Sequence, residues 1–259
     1  MPGRKSYLSS MPLDLARKLT GRERTDAADR LLGMTLAFVA GATNAGAFLA
    51  VRQYTSHMTG IFSSLADAVV LRAWSVALGA VGALLSFLVG AAVCALLVNF
   101  GHRHRWRSVY ATPLLIEAIL MLLFGVLGAR LAHVSGLFVP FTIMLLCFMM
   151  GLQNAVITKI SRSVIRTTHV TGMITDLGIE FGRLLYVNMP STGALPVRAD
   201  RTRMRLLGSL LLAFFLGGIL GAIGFQRLGY AATIPLAVTL GALSAVPAFD
   251  DLSASWHEP

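Results

Sequence analysis

The sequence predicts an all-α, polytopic membrane protein: six transmembrane helices arranged as a three-plus-three inverted repeat, with two short broken or re-entrant segments. Three observations predict it: an apolar composition, six long apolar runs, and one polar motif that occurs twice. Of the 259 residues, 56% are hydrophobic and 13% are charged, and the mean hydropathy is +0.72. A soluble domain carries about 25% charged residues, so this chain has room for one integral-membrane domain and little else. Its expected boundaries are a polar tail over 1–30, a membrane domain over 31–249 (repeats 31–133 and 137–249) and a short tail over 250–259.

The first 30 residues hold seven basic and four acidic side chains, with no apolar core and no cleavage-like site. They read as a cytoplasmic tail rather than a signal peptide. A helix needs about 20 apolar residues to cross the hydrocarbon core. Six runs meet that length: Leu31–Val51, Trp74–Val98, Tyr110–Leu131, Leu137–Thr158, Leu206–Phe225 and Leu228–Phe249. Cys94 and Cys147 fall inside such runs, where thiols act as small hydrophobes.

The first run closes on Gly41-Ala-Thr-Asn44-Ala45 and is followed by Thr55-Ser-His57-Met-Thr59-Gly60. The fourth closes on Gly151-Leu-Gln-Asn154-Ala155 and is followed by Thr167-Thr-His169-Val-Thr171-Gly172. The Asn-to-His gap is 13 residues in one copy and 15 in the other, so the copies are related without being identical. The likeness extends further. Leu85-Ser-Phe87-Leu-Val-Gly90 in the second run matches Leu212-Ala-Phe214-Phe-Leu-Gly217 in the fifth, and Pro113 matches Pro235. The repeating unit is therefore three spans.

Eighteen of the 22 Lys and Arg lie in the N-terminal tail, in Gly101–Ser108 and in the connection that begins at Lys159. Six spans with a cytoplasmic N-terminus put all of these inside, as the positive-inside rule requires. Eight spans would put Arg103, Arg105 and Arg107 outside, against that rule. An odd number of spans per repeat turns the second copy upside down. Inverted repeats give a transporter two related conformations around a site near the midplane.

Two readings of the motif segments stand side by side. An extended entry and a returning half-helix would carry each motif to mid-membrane, with Thr59 or Thr171 as N-cap and His57 or His169 beside the helix end. The positive end of a helix favours an anion or the carboxylate of a zwitterion. Alternatively the segments are amphipathic helices on the membrane surface. The second copy suits this better, because Glu180 and Arg183 would share a polar face.

Substrate-binding candidates are Asn44, His57, Thr59, Gly60, Asn154, His169, Thr171 and Gly172. Asn44 and Asn154 follow a glycine, a pattern that suits a helix break; as intramembrane amides they equally suit helix-to-helix hydrogen bonds. Coupling candidates are Glu117 and Asp176. Glu117 lies deep in the third run, where a carboxyl is costly, and its counterpart in the second repeat is Thr239. Arg166 and Asp176 flank the second motif in gating positions, or are ordinary loop charges. Gly79, Gly82, Gly90, Gly217, Gly218, Gly221 and Gly224 read as close-packing faces of the second and fifth helices. The basic run from His102 to Arg107 is a topology anchor and a contact for anionic lipid headgroups, not a nucleic-acid motif.

At these residues the chain resembles the YoaK-like family of bacterial membrane proteins, a domain-of-unknown-function family. The resemblance rests on Gly41-x-x-Asn44-Ala45, Ser56-His57-Met58-Thr59-Gly60, Gly151-x-Gln-Asn154, Thr168-His169-Val170-Thr171-Gly172 with Asp176, and Glu117. It runs from about Leu31 to the sixth span. Many members of that family carry Asn after the first Met-Thr-Gly, where this chain has Ile61. The resemblance implies a bacterial inner-membrane protein and brings no activity with it.

The function expected is secondary transport of a small solute, anionic or zwitterionic, with proton coupling. The partners expected are membrane lipids and a small-molecule ligand, with no nucleic acid. An enzyme is not expected, nor a cofactor or metal: the two motif histidines belong to opposite faces, and no His-Glu-x-x-His spacing occurs. The rival is a channel or a non-transporting sensor or scaffold. A channel calls for a continuous polar path, whereas these spans carry few polar positions, clustered at the motifs.

Overall fold

The computed structural model describes residues 19–21, 25–131, 138–160, 168–187 and 196–255, and no strand occurs among them. Among the residues from Thr25 on that are described, eight main helices follow in order: α1 (Asp26–Val51), α2 (Met58–Val70), α3 (Trp74–Arg103), α4 (Ala111–Leu131), α5 (Phe138–Ile160), α6 (Val170–Leu185), α7 (Arg201–Leu228) and α8 (Thr233–Ser255). A 3-10 turn, Gly229–Ala232, separates the last two. Among the described residues five apolar stretches are long enough to cross a membrane, the fifth, Arg201–Asp251, taking in α7, the 3-10 turn and α8.

Caps rather than hydropathy set the helix ends. The Thr25 hydroxyl accepts from the Ala28 N–H at 3.3 Å, so α1 begins at Asp26, before the apolar run. Asp26 and Asp29 in its first turn complement the positive end of the helix. Arg52 ends α1 in the left-handed region (φ 56°) and donates its N–H to Phe48 O. The helix α3 extends past Val98 to Arg103, and α8 extends past Phe249 to Ser255, so part of the expected C-terminal tail is helical. The expected helix breaks at Asn44 and Asn154 do not occur. Both amides sit in continuous helix, because each bonds side chain to motif loop and leaves the backbone ladder intact.

A Phe-x-x-Gly step occurs in four helices, and its glycines lock them in pairs. In α1 it is Phe38 and Gly41, in α3 Phe87 and Gly90, in α5 Phe148 and Gly151, in α7 Phe214 and Gly217. A methyl added at Gly41 would overlap the carbonyl oxygen of Phe214, and one at Gly217 that of Phe38. The same holds between Gly90 and Phe148, and between Gly151 and Phe87. Small residues permit such backbone approach where lipid offers no hydrophobic drive to association. Gly221 adds a further approach, to Ala42, while Gly79 has nothing within 4 Å.

The same contacts give directions. Gly41 meets Phe214 and Gly46 meets Phe225, so α1 and α7 run parallel. Gly82 meets Met144 and Gly90 meets Phe148, so α3 and α5 run parallel as well. The third helices of the two repeats, α4 and α8, run antiparallel. Gly125 and Gly128 near the end of α4 meet Thr233 at the start of α8 and Tyr230 in the turn just before it. At the opposite end Asp251 of α8 accepts from the N–H groups of Arg107 (2.9 Å) and Ser108 (2.6 Å), just before α4. Gln153 of α5 donates to Leu36 O of α1 at 3.3 Å, joining the pairs at the centre.

Leu32, Leu36, Leu114, Met121, Phe124, Leu146 and Met149 fill the interior. Leu78, Leu88 and Leu96 of α3, Phe215 and Leu220 of α7, and Val238 of α8 point outward and are exposed. Helices apolar on both faces belong in lipid.

Candidate functional site

The repeated motif builds the same small structure twice. The Ser56 hydroxyl donates to Asn44 Oδ1 at 3.1 Å, and the Thr168 hydroxyl donates to Asn154 Oδ1 at 2.8 Å. Each bond ties the strand of chain after a long helix back to that helix. Asn154 also donates to Met150 O at 2.9 Å, which fixes the orientation of its amide. The next residue in each copy, His57 or His169, is the N-cap of the short helix. Thr59 and Thr171 were expected as caps. They stand inside α2 and α6, because the Asn-anchored Ser56 and Thr168 hold the preceding residues outside helical conformation. Each imidazole folds over a glycine: a methyl at Gly60 would strike His57 Nδ1, and one at Gly172 would strike His169 Nδ1. Neither imidazole accepts a capping bond, so each short helix offers its first N–H groups uncapped by a side chain.

The helix α2 lies against the N-terminal half of α3. Ile61 shares a buried cluster with Ala80, Ala83 and Cys147, with Met58, Leu84 and Phe87 packed on it. Since α2 joins α3 through Leu71–Ala73, its start is level with the middle of α3. Beside that start is a cavity of about 520 Å³, walled by Arg52, Tyr54, His57, Ser64, Val76 and Gly79 among others. Its lining holds one guanidinium and no carboxylate, and includes the apolar Ile61, Val76 and Ile143.

The helix α6 has a different footing. Equivalent outward positions match, with exposed Phe62 and Val69 on α2 and Ile174 and Phe181 on α6. The inner faces differ. Glu180 is buried; its Oε1 accepts from Arg183 at 2.8 Å and its Oε2 from the Asp200 N–H at 2.8 Å. The expectation that Glu180 and Arg183 share a wet polar face is thus half met, because the chain before α7 covers Glu180. Asp176, the second coupling candidate, is half-exposed and pairs with Arg203 at 3.0 Å. Arg166 and Thr167 lie outside the described residues.

Glu117 makes no hydrogen bond to either half-site among the described residues. It is 0% exposed, and neither carboxyl oxygen has a hydrogen-bond partner among the described residues. One turn on, Met121 Sδ accepts from Thr43 of α1, at 4.0 Å. Its counterpart Thr239 is exposed and bonds Pro235 O within its own helix. Thus the two third spans present unlike surroundings at matching positions.

Ser56, Thr168, Glu180, Asp200 and Arg203 belong to this site and are absent from the sequence-derived candidates. Ser56 and Thr168 had a signal, a hydroxyl directly before the histidine in both copies. For Glu180 the signal was partial: Arg183 lies three residues on, whereas Asp200 and Arg203 come from 20 residues away or more.

A family model described as a protein of unknown function, DUF1275, matches residues 32–246. No curated protein and no solved structure matches the chain. The match spans most of the sequence and contains both half-sites, and the chain belongs to this family.

Proposed function

We propose that this member of the DUF1275 family is a secondary transporter of a small anionic or zwitterionic solute. It works by alternating access in the bacterial inner membrane, with its N-terminus in the cytoplasm. The observation that carries this reading is the twofold occurrence of one polar half-site. Asn44, Ser56, His57 and Gly60 are matched by Asn154, Thr168, His169 and Gly172, each set at the start of a short helix. Inverted repeats with half-helices pointing at a central site are the general architecture of such carriers.

Supporting geometry comes from the helix directions. The equivalent helices α4 and α8 run antiparallel, as inverted halves require. With α2 and α6 as re-entrant segments, six helices span. At 13 residues α2 measures about 20 Å, short of a ~30 Å core, which disfavours eight spans. Arg52 and the uncapped start of α2 favour a carboxylate or inorganic anion in the cavity, and the apolar wall accommodates a short carbon skeleton. Glu117 supplies proton coupling, and neither cofactor nor metal takes part.

The test is a thermal-shift screen of detergent-purified protein against small carboxylates, amino acids and inorganic anions, since a ligand of the folded state raises its Tm. Hits then enter counterflow assays in proteoliposomes. Saturable exchange supports a carrier; uptake that never saturates means a channel, and binding without flux means a sensor.

A further inference from the structure

The two short helices are attached to their following spans in different ways. We infer that Glu180, Asp176 and Arg203 form an ionic latch that pins α6 to α7 and can be released. The helix α2, which has no such latch, is fixed to α3.

Equivalent positions make the contrast exact in residue terms. Aligning Gly60 with Gly172 sets Ser64 against Asp176 and Ala68 against Glu180. Aligning Gly90 with Gly217 sets Ala73 against Asp200 and Val76 against Arg203. The N-caps agree independently, because Ala73 caps α3 and Asp200 caps α7. In the first copy the Ala73 N–H donates to the backbone oxygen of Ala68 at 2.8 Å, within a three-residue turn. In the second copy the equivalent Asp200 N–H donates to the Glu180 carboxylate, also at 2.8 Å. A side chain has taken over the work of a chain turn. Arg183 holds the other oxygen of Glu180, with Arg203 3.9 Å from it, and Arg203 reaches on to Asp176.

The physical consequence is a difference in how each attachment fails. Each short helix buries one large apolar residue, Ile61 or Met173, but undocking α2 also means unwinding a backbone turn, whereas undocking α6 also means separating ion pairs while the helix stays whole. The Asp176–Arg203 pair is half-exposed and contributes little alone. Glu180 is 1% exposed, and parting it from its cations is costly unless water enters as they separate. Where the latch has its charged residues, the first copy has Ser64 and Val76, and these line the open cavity. If the alternating-access reading holds, α6 is the moving gate and α2 the fixed one.

The test needs no ligand. Hydrogen exchange is followed in the full chain, in nanodiscs, over the amides of α6 and of α2. Glu180→Gln keeps an acceptor for the Asp200 N–H but removes the charge, and should speed exchange in α6 at least about tenfold. Arg203→Gln leaves the core untouched and should speed it about two- to fivefold. Arg205→Gln, the same charge lost two residues on, should change nothing, and α2 should keep its wild-type rate in all three. Faster exchange confined to α6 supports the latch. Unchanged α6 in the first two variants, or an equal rise in α2, overturns it. Because no flux is measured, a failure of the transport reading leaves this result standing.

Discussion

The α-carbon of Gly151 packs directly against the carbonyl oxygen of Phe87, with no room for a methyl group between them. Gly41 stands in the same relation to Phe214, and the two reciprocal contacts, Gly90 on Phe148 and Gly217 on Phe38, complete the set. Every one of these contacts joins a helix of the first repeat to a helix of the second. The halves are therefore interlocked through backbone, and the half-sites at Asn44 and Asn154 lie within one turn of the lock.

Gly151→Ala and Gly217→Ala should each destabilise the protein by about 1–3 kcal/mol, the usual cost of an extra methyl in a filled interior. Gly241→Ala, where nothing lies within 4 Å, is the control and should be neutral. Thermal unfolding in detergent measures all three. Equal melting of the Gly151 variant and the control would mean the helices separate easily at this contact.

Much of this arrangement is legible in the sequence, for a definite reason. Lipid selects long apolar runs, so the spans stand out. The half-sites stand out because Asn, His and Gly recur where polar residues are otherwise scarce. The Phe87–Gly90 and Phe214–Gly217 match also shows, but the same step in α1 and α5 is hidden beside Asn44 and Asn154, whose amides draw the eye to a helix break. The pairing of Glu180 with Asp200 is not legible at all. Burial of a carboxylate depends on which distant segment covers it, and periodicity reports only the face of its own helix.

Arg72 and Arg105 occupy left-handed turns that a six-span chain places on opposite sides of the membrane. Single cysteines at these positions, in a background lacking Cys94 and Cys147, should react with a membrane-impermeant maleimide from opposite faces. Arg72→Cys should label in intact cells and Arg105→Cys only in inverted vesicles. Labelling of both from one face would remove the inverted arrangement.

His57 and His169 cap equivalent helices and rest on Gly60 and Gly172. His57→Ala and His169→Ala should each lower solute exchange at least about tenfold, the loss expected when a hydrogen bond to a charged ligand group is removed. Gly60→Ala and Gly172→Ala keep the imidazole but push it aside, and should reproduce the corresponding histidine defect. Membrane content, measured by immunoblot, should remain normal in all four. Normal exchange in the two glycine variants would show that imidazole position is immaterial.

Glu117 is a buried carboxyl without a hydrogen-bond partner among the described residues, on a helix whose counterpart carries Thr239 in the same place. Such a group is expensive in an apolar interior, and ionisable residues kept at membrane depth mark proton or ion pathways by default. It makes no hydrogen bond to either half-site among the described residues, so its chemistry is separable from solute binding. Glu117→Gln preserves the shape and removes the exchangeable proton. The variant should bind solute with unchanged affinity and sustain counterflow at the wild-type rate. It should fail to accumulate solute against a gradient when a proton gradient is imposed. Uphill uptake and counterflow, measured on the same proteoliposomes, separate these steps. If the Gln variant accumulates solute as the wild type does, Glu117 serves packing alone, and the driving ion must act at another group, with the Asp176 carboxylate the remaining candidate.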